Sequence, residues 1–230
     1  MKHGFTGILG ALVASASIAF SLPAIAGKNE NKAEAEKIVN GATKTLKNFT
    51  ADPNLKWFRD NIPNAKAVLI VPKLVKAGFI FGGSGGNGVV LSRDDKAGVW
   101  RGPSFATAAA VSAGFQAGVA VAEVVMMAMT DKGRDALLSN KVQVGTDVSV
   151  AAGPVGAGAQ AATTDILQFV RSKGLYGGLN LEGTVIDVRD SLNNAYYGKK
   201  VAPVDILVKG EVTNPQADAL VKQLTGTAKK

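Results

Sequence analysis

The 230-residue sequence has no cysteine and one histidine, His3. Without cysteine there is no disulfide, no thiolate nucleophile and no thiol on which a lipid could be attached. His3 falls in a stretch that reads as an export signal, so the mature chain keeps no imidazole. That excludes the usual general base at neutral pH, every Cys/His zinc site, and both Ser-His-Asp and Cys-His nucleophile systems. Aromatic residues are 6% of the chain, and the basic stretches lack the interleaved aromatics on which single-strand nucleic-acid binders stack bases, so no nucleic-acid partner is expected. Long apolar runs are missing too. The stretch from Ala106 to Met129 comes closest to a membrane span, but Gln116 and Glu123 interrupt it.

What is present at the N-terminus is the pattern of a secretory signal: Lys2, an apolar stretch from Ile8 to Phe20, and the small-residue site Ala24-Ile25-Ala26. Residues 1–26 are therefore expected to be removed, leaving a periplasmic or secreted protein that is at most peripheral to a membrane. The remaining residues, 27–230, suit one domain with a sizeable core. Their positive charge is uneven: residues 27–80 hold ten Lys or Arg against five acids, whereas residues 81–210 hold twelve against eleven.

From Glu30 to Phe49, the residues Ala35, Ile38, Val39, Ala42, Leu46 and Phe49 recur at helical spacing, with Lys37, Lys44 and Lys47 on or beside the opposite side. This predicts an amphipathic helix with a basic side, either an ordinary helix docked on the core or one that lies at an anionic lipid interface. Asp52-Pro53 predicts a cap and first-turn proline for a short helix through Asn61. On that helix Trp57, between Lys56 and Arg59, is either a core aromatic or a headgroup-level anchor. Short strands are expected at Lys66 to Val71 and Gly78 to Phe81. Gly83, Gly85 and Gly88 match G-x-G-x-x-G, but the following VVLSRDDKAGVW continues as strand, turn and strand, where a nucleotide site needs a helix. The glycine run is expected to be a flexible turn, and no nucleotide partner is expected.

Further on, Ala122 to Met129 predicts a central strand, Asp131 to Leu138 a short helix, and Lys141 to Ala152 one alternating strand. A second alternation runs through Leu175, Leu179, Leu181 and Val185, cut by several glycines. It leads to a short helix in which Asp187 and Asp190 are candidate caps and Gly198 is the left-handed stop. Val204 to Val208 predicts a last strand, and Asn214-Pro215 the start of a terminal helix. Together these elements predict an α+β fold: a largely antiparallel, glycine-rich β-sheet with an N-terminal amphipathic helix, short helices and a C-terminal helix. Two carboxylate pairs, Asp94 with Asp95 and Asp187 with Asp190, could in principle hold a cation or form an acid and base pair, but Asp in turns and caps commonly serves local hydrogen bonding. No catalytic residue, cofactor or metal is assigned.

The run KGLYGGLNLEGTVI followed by NNAYYG, with the upstream segments VGTDVSVAAGPVGAGAQA and SRDDKAGVWRGPSF, resembles the SYLF domain, a lipid-binding module of bacterial envelope proteins and of eukaryotic membrane and actin-linked proteins. The resemblance extends from about Ala35 to Glu211. It implies binding to phospholipid surfaces rather than catalysis. Combined with the charge distribution, it makes Lys37, Lys44, Lys47, Lys56, Trp57 and Arg59 the candidate lipid-binding residues and an anionic phospholipid membrane surface the expected partner. The alternative is a periplasmic scaffold that meets an envelope protein through its sheet edges, with the charge serving solubility.

The export signal is testable directly. Intact-mass analysis of the exported protein should show Gly27 at the N-terminus; a mature form that retains residues 1–26 would overturn the periplasmic assignment.

Overall fold

The computed structural model describes residues 22–78, 81–113, 118–156, 160–172, 175–176 and 181–227. Most of the expected signal, residues 1–21, lies outside the described residues, and residues 22–26 begin the first helix. That helix, α1, runs Leu22–Ala51. Its buried face is the one its spacing implies: Ala35, Ile38, Val39, Ala42, Leu46 and Phe49 are all buried. Burying each of the larger ones stabilises the fold by roughly 1.5–3 kcal/mol relative to exposure. Asp52 then caps a 3-10 turn, Pro53–Leu55, by accepting from the Asn54 amide at 2.9 Å. The short helix α2, Lys56–Asn61, follows.

The sheet contains β1 (Ala67–Gly78), β2 (Phe81–Asp94), β3 (Val99–Ala113), β4 (Gly118–Ala128), β5 (Lys141–Gln143), β6 (Val150–Ala152), β7 (Ile166–Ser172), β8 (Leu175–Tyr176) and β9 (Val185–Val188). Three more helices complete the chain: α3 (Asp131–Leu138), α4 (Asp190–Tyr197) and α5 (Asp218–Thr227). The strand order is β5-β9-β3-β2-β1-β4-β7-β6, with β8 paired to β7, and among these pairs only β6 with β7 is parallel.

This order forces the sheet to curl. β5 and β6 lie at opposite ends of an eight-strand path, yet only residues 144–149 join them. Fully extended, that link spans at most about 25 Å, whereas eight strands laid flat would separate the two edges by about 34 Å. The sheet therefore rolls toward itself and acquires two apolar faces. Its convex face, with Val68, Ile70, Val89, Leu91, Phe105, Val125, Met127 and Phe169, packs under α1, α2, α4 and α5. Its concave face, with Leu69, Val71, Val90, Val124, Met126, Ile166 and Ile186, is filled by Val144 and Val148 of the link together with Leu137, Ile206 and Leu207.

Five local expectations are corrected. The glycine run is not a turn: it lies inside β2, paired on one side with β1 and on the other with β3. The reason is close approach. A Cβ at Gly88 would sit 2.5 Å from the Ile70 carbonyl oxygen, and one at Gly86 nearer still to that of Lys73, where β1 bulges. The strand expected to end at Val71 accordingly continues to Gly78. Lys141 to Ala152 is two strands, because the Asp147 carboxylate accepts from the Gln143 amide at 2.7 Å and closes a turn between them. The 175–185 alternation is also broken. Leu181 is buried but precedes a turn, the strand resumes only at Val185, and residues 177–180 lie outside the described residues. Finally, Val204 to Val208 forms one wide helical turn, Asp205–Lys209. Lys209 bonds back to Asp205 at 2.8 Å, and Val204 and Val208, four apart, face outward while Ile206 and Leu207 are buried.

The close approach predicts a contrast within one glycine run. Gly88→Ala should destabilise by about 1–3 kcal/mol through overpacking against backbone. Gly85→Ala, with nothing within 4 Å of its added Cβ, should leave the thermal midpoint unchanged or raise it slightly. Equal losses in thermal melts would show that the glycines serve chain flexibility rather than strand contact.

Candidate functional site

The six candidate lipid-binding residues separate into two groups. Lys37, Lys44 and Lys47 are exposed on the side of α1 opposite its buried face. They lie within about 15 Å along the helix axis. None of the three forms an ion pair among the described residues. Lys56 is exposed on α2 and paired with Asp60. Trp57 and Arg59 are tied to the core. Trp57 is half-buried and stacked on Phe169 at 6.3 Å, and Phe169 meets Phe58 edge-on at 5.0 Å. Arg59 donates to the carbonyl oxygens of Thr50 at 3.0 Å and Asp52 at 3.2 Å, closing the end of α1 against the following turn.

Sequence reading missed a polar belt between α1 and the sheet. The helix crosses the strands, and at the crossing the apolar parity of β2, β3 and β4 is interrupted by a polar residue. Asn87 on β2 donates to Glu34 at 2.7 Å, and Thr107 on β3 donates to Asn87 at 2.7 Å, with Arg189 nearby. Glu123 on β4 accepts from Thr45 at 2.7 Å and from Arg171 Nε at 2.9 Å. The Arg171 guanidinium lies 5.2 Å from the Phe49 ring centroid. The signal was available as one polar residue in an otherwise apolar alternation, but only the crossing helix supplies its partner.

The NNAYYG stretch is a fastening of the same kind. Asn193 is fully buried, accepts from the Phe105 amide at 2.9 Å and donates to Ser104 at 3.3 Å, holding α4 to β3. Tyr197 donates to the Pro103 carbonyl at 2.7 Å, and Tyr196 donates to Gln216 at 2.7 Å. Burial pushes both phenols well above their ordinary range. Gly198 ends α4 at φ 73°, as expected. The expected Asp caps are corrected: Arg189 occupies the cap position without a side-chain bond, Asp187 lies in β9, and Asp190 stands in the first turn.

Residues 109–227 match the family model described as Ysc84, Las17-binding protein actin regulator. The chain belongs to the Ysc84 (SYLF) family. It is 32% identical over 213 residues to LAS seventeen-binding protein 3 of Saccharomyces cerevisiae, covering 87% of this chain and 44% of that protein. It is 30% identical over 211 residues to SH3 domain-containing YSC84-like protein 1 of Bos taurus, covering 86% of this chain and 60% of that protein. The chain thus spans about half the length of these relatives. No solved structure matches it significantly.

In this Ysc84-family chain the pair Asp94 and Asp95 is engaged locally. Asp94 accepts from the amides of Ala97 and Lys96 and from Arg101, and these bonds hold its carboxyl below the usual range. Asp95, bonded to Arg93 and Lys66, is lowered likewise. Among the described residues no group of three His, Cys, Asp or Glu could hold a metal ion, and no helix is long and apolar enough to cross a membrane. The carboxyl lowered furthest, to about 2, is Asp165. Its causes are the Ser149 hydroxyl at 2.7 Å and then the Thr130 hydroxyl at 2.8 Å. Asp165 therefore fastens the end of the edge-joining link to β7 and α3.

A carboxyl depressed in the folded state stabilises the fold above its unfolded value near 4 and loses that contribution as pH falls toward 2. Chemical-denaturant titrations should therefore show stability falling between about pH 4 and pH 2. Asp165→Asn should lower stability at neutral pH and flatten that part of the profile; an unchanged profile would remove Asp165 from the closure.

Proposed function

We propose that this chain binds anionic phospholipid surfaces without catalysing a reaction, through the exposed basic side of α1. One observation carries the reading: Lys37, Lys44 and Lys47 share a solvent-facing side of a helix whose other side is fixed to the core, with no ion pair to any described acid. Lys56 lies on neighbouring α2, where Asp60 pairs with it. Trp57 and Arg59, first candidates for the same surface, are better assigned to holding α2 in place. The setting proposed is the periplasm or outside of a bacterial cell, as a signal at residues 1–26 would direct, with the protein peripheral to the membrane.

A second reading has support of its own. The relatives are named for binding Las17 or for containing SH3 domains, which favours a protein-interaction module that meets an envelope protein. Salt and lipid separate the two. Binding to anionic vesicles that fades with added salt supports the first reading, and saturable binding to a protein partner without lipid supports the second.

Each cation near an anionic surface contributes roughly 1 kcal/mol. Replacing Lys37, Lys44 and Lys47 together by Glu should therefore weaken vesicle binding about a hundredfold or more, while thermal stability changes little. The control variant changes Lys141, Lys199 and Lys200, exposed and outside α1, to Glu. Equal losses in flotation assays would make the attraction diffuse; loss in the control alone would place the site elsewhere.

A further inference from the structure

The strands that pass under α1 do not stop at the polar belt. β1, β2, β3 and β4 continue beyond it, and the register aligns their next residues in cross-strand rows on the face that α1 covers elsewhere. The first row is Ala109, Gly85, Val75 and Val121; the second is Val111, Gly83, Ala77 and Val119. Every member is Val, Ala or Gly. Val111 is 92% exposed, Val119 72% and Val121 46%. Leu175 of β8, 76% exposed, stands at the same end, since its partner Ser172 lies opposite Ala122. From strand and residue spacing, the two rows cover roughly 260 Å², just under the roughly 300–600 Å² of the largest apolar patch on a typical monomer.

Charge indicates what covers it. No acidic residue occurs from Lys73 to Gly88 or from Gly102 to Ala122, the segments that build this end. Its described cations are Lys73, exposed at the β1 bulge, and Lys76, paired across β1 with Ser84 and Ala120 on the opposite face. The other exposed apolar group differs: Val204 and Val208 flank Asp205, and Val99 closes a turn that holds Asp94 and Asp95. An apolar tip whose four strand ends carry cations and no acid beyond the polar belt matches the boundary of an anionic bilayer, where side chains sink about 5–10 Å and lysines remain among the headgroups. A second copy of the chain fits less well. The patch is well below the roughly 800 Å² per partner of a standard stable interface, and two copies would bring Lys73 and Lys76 against their own counterparts.

Resting on the lipid reading above, we infer that this end of the sheet is a second membrane contact, with Val111, Val119 and Val121 entering the apolar layer and Lys73 and Lys76 meeting the headgroups. The α1 lysines attract the protein to the surface, and the tip anchors it there.

The absence of native cysteine makes the test specific. Val119→Cys, labelled with an environment-sensitive fluorophore, is mixed with phosphatidylglycerol/phosphatidylcholine vesicles beside a labelled Lys199→Cys control. The expected result is a blue shift, with quenching by a bilayer-buried quencher, for the Val119 label only. In flotation, Val111→Asp with Val119→Asp should bind at least tenfold more weakly than the unsubstituted protein. Both sites are exposed, and circular dichroism checks that the fold persists. If the unsubstituted protein floats while the Val119 label stays in water and the double variant binds normally, the tip inference fails and the lipid reading stands. If the unsubstituted protein does not bind the vesicles at all, both fall. A blue shift without vesicles that grows with protein concentration would assign the tip to a second copy and overturn the membrane contact.

Discussion

The constraint on which the structure depends is the short link between the two ends of the sheet. Because residues 144–149 join β5 to β6 across an eight-strand path, the sheet must roll, and rolling creates a concave interior that needs filling. The filling comes from wherever the chain passes the opening: Val144 and Val148 of the link itself, Leu137 of α3, and Ile206 with Leu207 of the wide turn after α4. Asp165 holds the end of that link, bonded at once to Ser149 and Thr130. The closure thus joins the apolar interior and a small polar clamp in one arrangement.

Rolling also explains where glycine is spent. The β1 bulge brings its backbone against β2, and Gly86 and Gly88 lie where a Cβ would strike carbonyl oxygens. On the convex side Gly41, in the middle of α1, lets the helix approach the sheet closely, since a Cβ there would lie 3.0 Å from Pro72. Its cost to helix propensity, about 1 kcal/mol, is offset by the approach it permits.

The functional surfaces follow from where α1 crosses. One side of the helix is committed to the core, and its lysines are left on the other. The polar belt of Glu34, Asn87, Thr107, Glu123 and Arg171 marks the edge of its cover. On one side of that belt the sheet is sealed by helices, and on the other no described element covers its small, apolar residues. A basic helix and an apolar strand end on one rigid body provide two kinds of attraction to an anionic bilayer, one long in range and salt-dependent, the other short and apolar.

How much of this was legible depended on the range of the interaction involved. The buried face of α1, the extent of α3, the Asp52 cap and the Gly198 stop are decided within one or two turns of chain, so spacing and residue type determined them. The α+β character with a largely antiparallel sheet was legible for the same reason, and NNAYYG with its flanking motifs marked the family. What local pattern left undecided was settled by partners far away in sequence. Val204, Ile206 and Val208 alternate as a strand would, but Leu207 is drawn into the interior and Asp205 bonds to Lys209, so the segment coils. The glycines of β2 read as a turn because nothing in their own neighbourhood reveals the backbone pressing on them from β1. Among the candidate residues, sequence could place Trp57 and Arg59 beside Lys56, but only the tertiary structure shows Trp57 stacked on Phe169 and Arg59 bonded to the end of α1. The rows of Val, Ala and Gly were equally invisible: each strand alone shows ordinary small residues, and it takes the register of four strands, with no helix among the described residues above them, to make a surface.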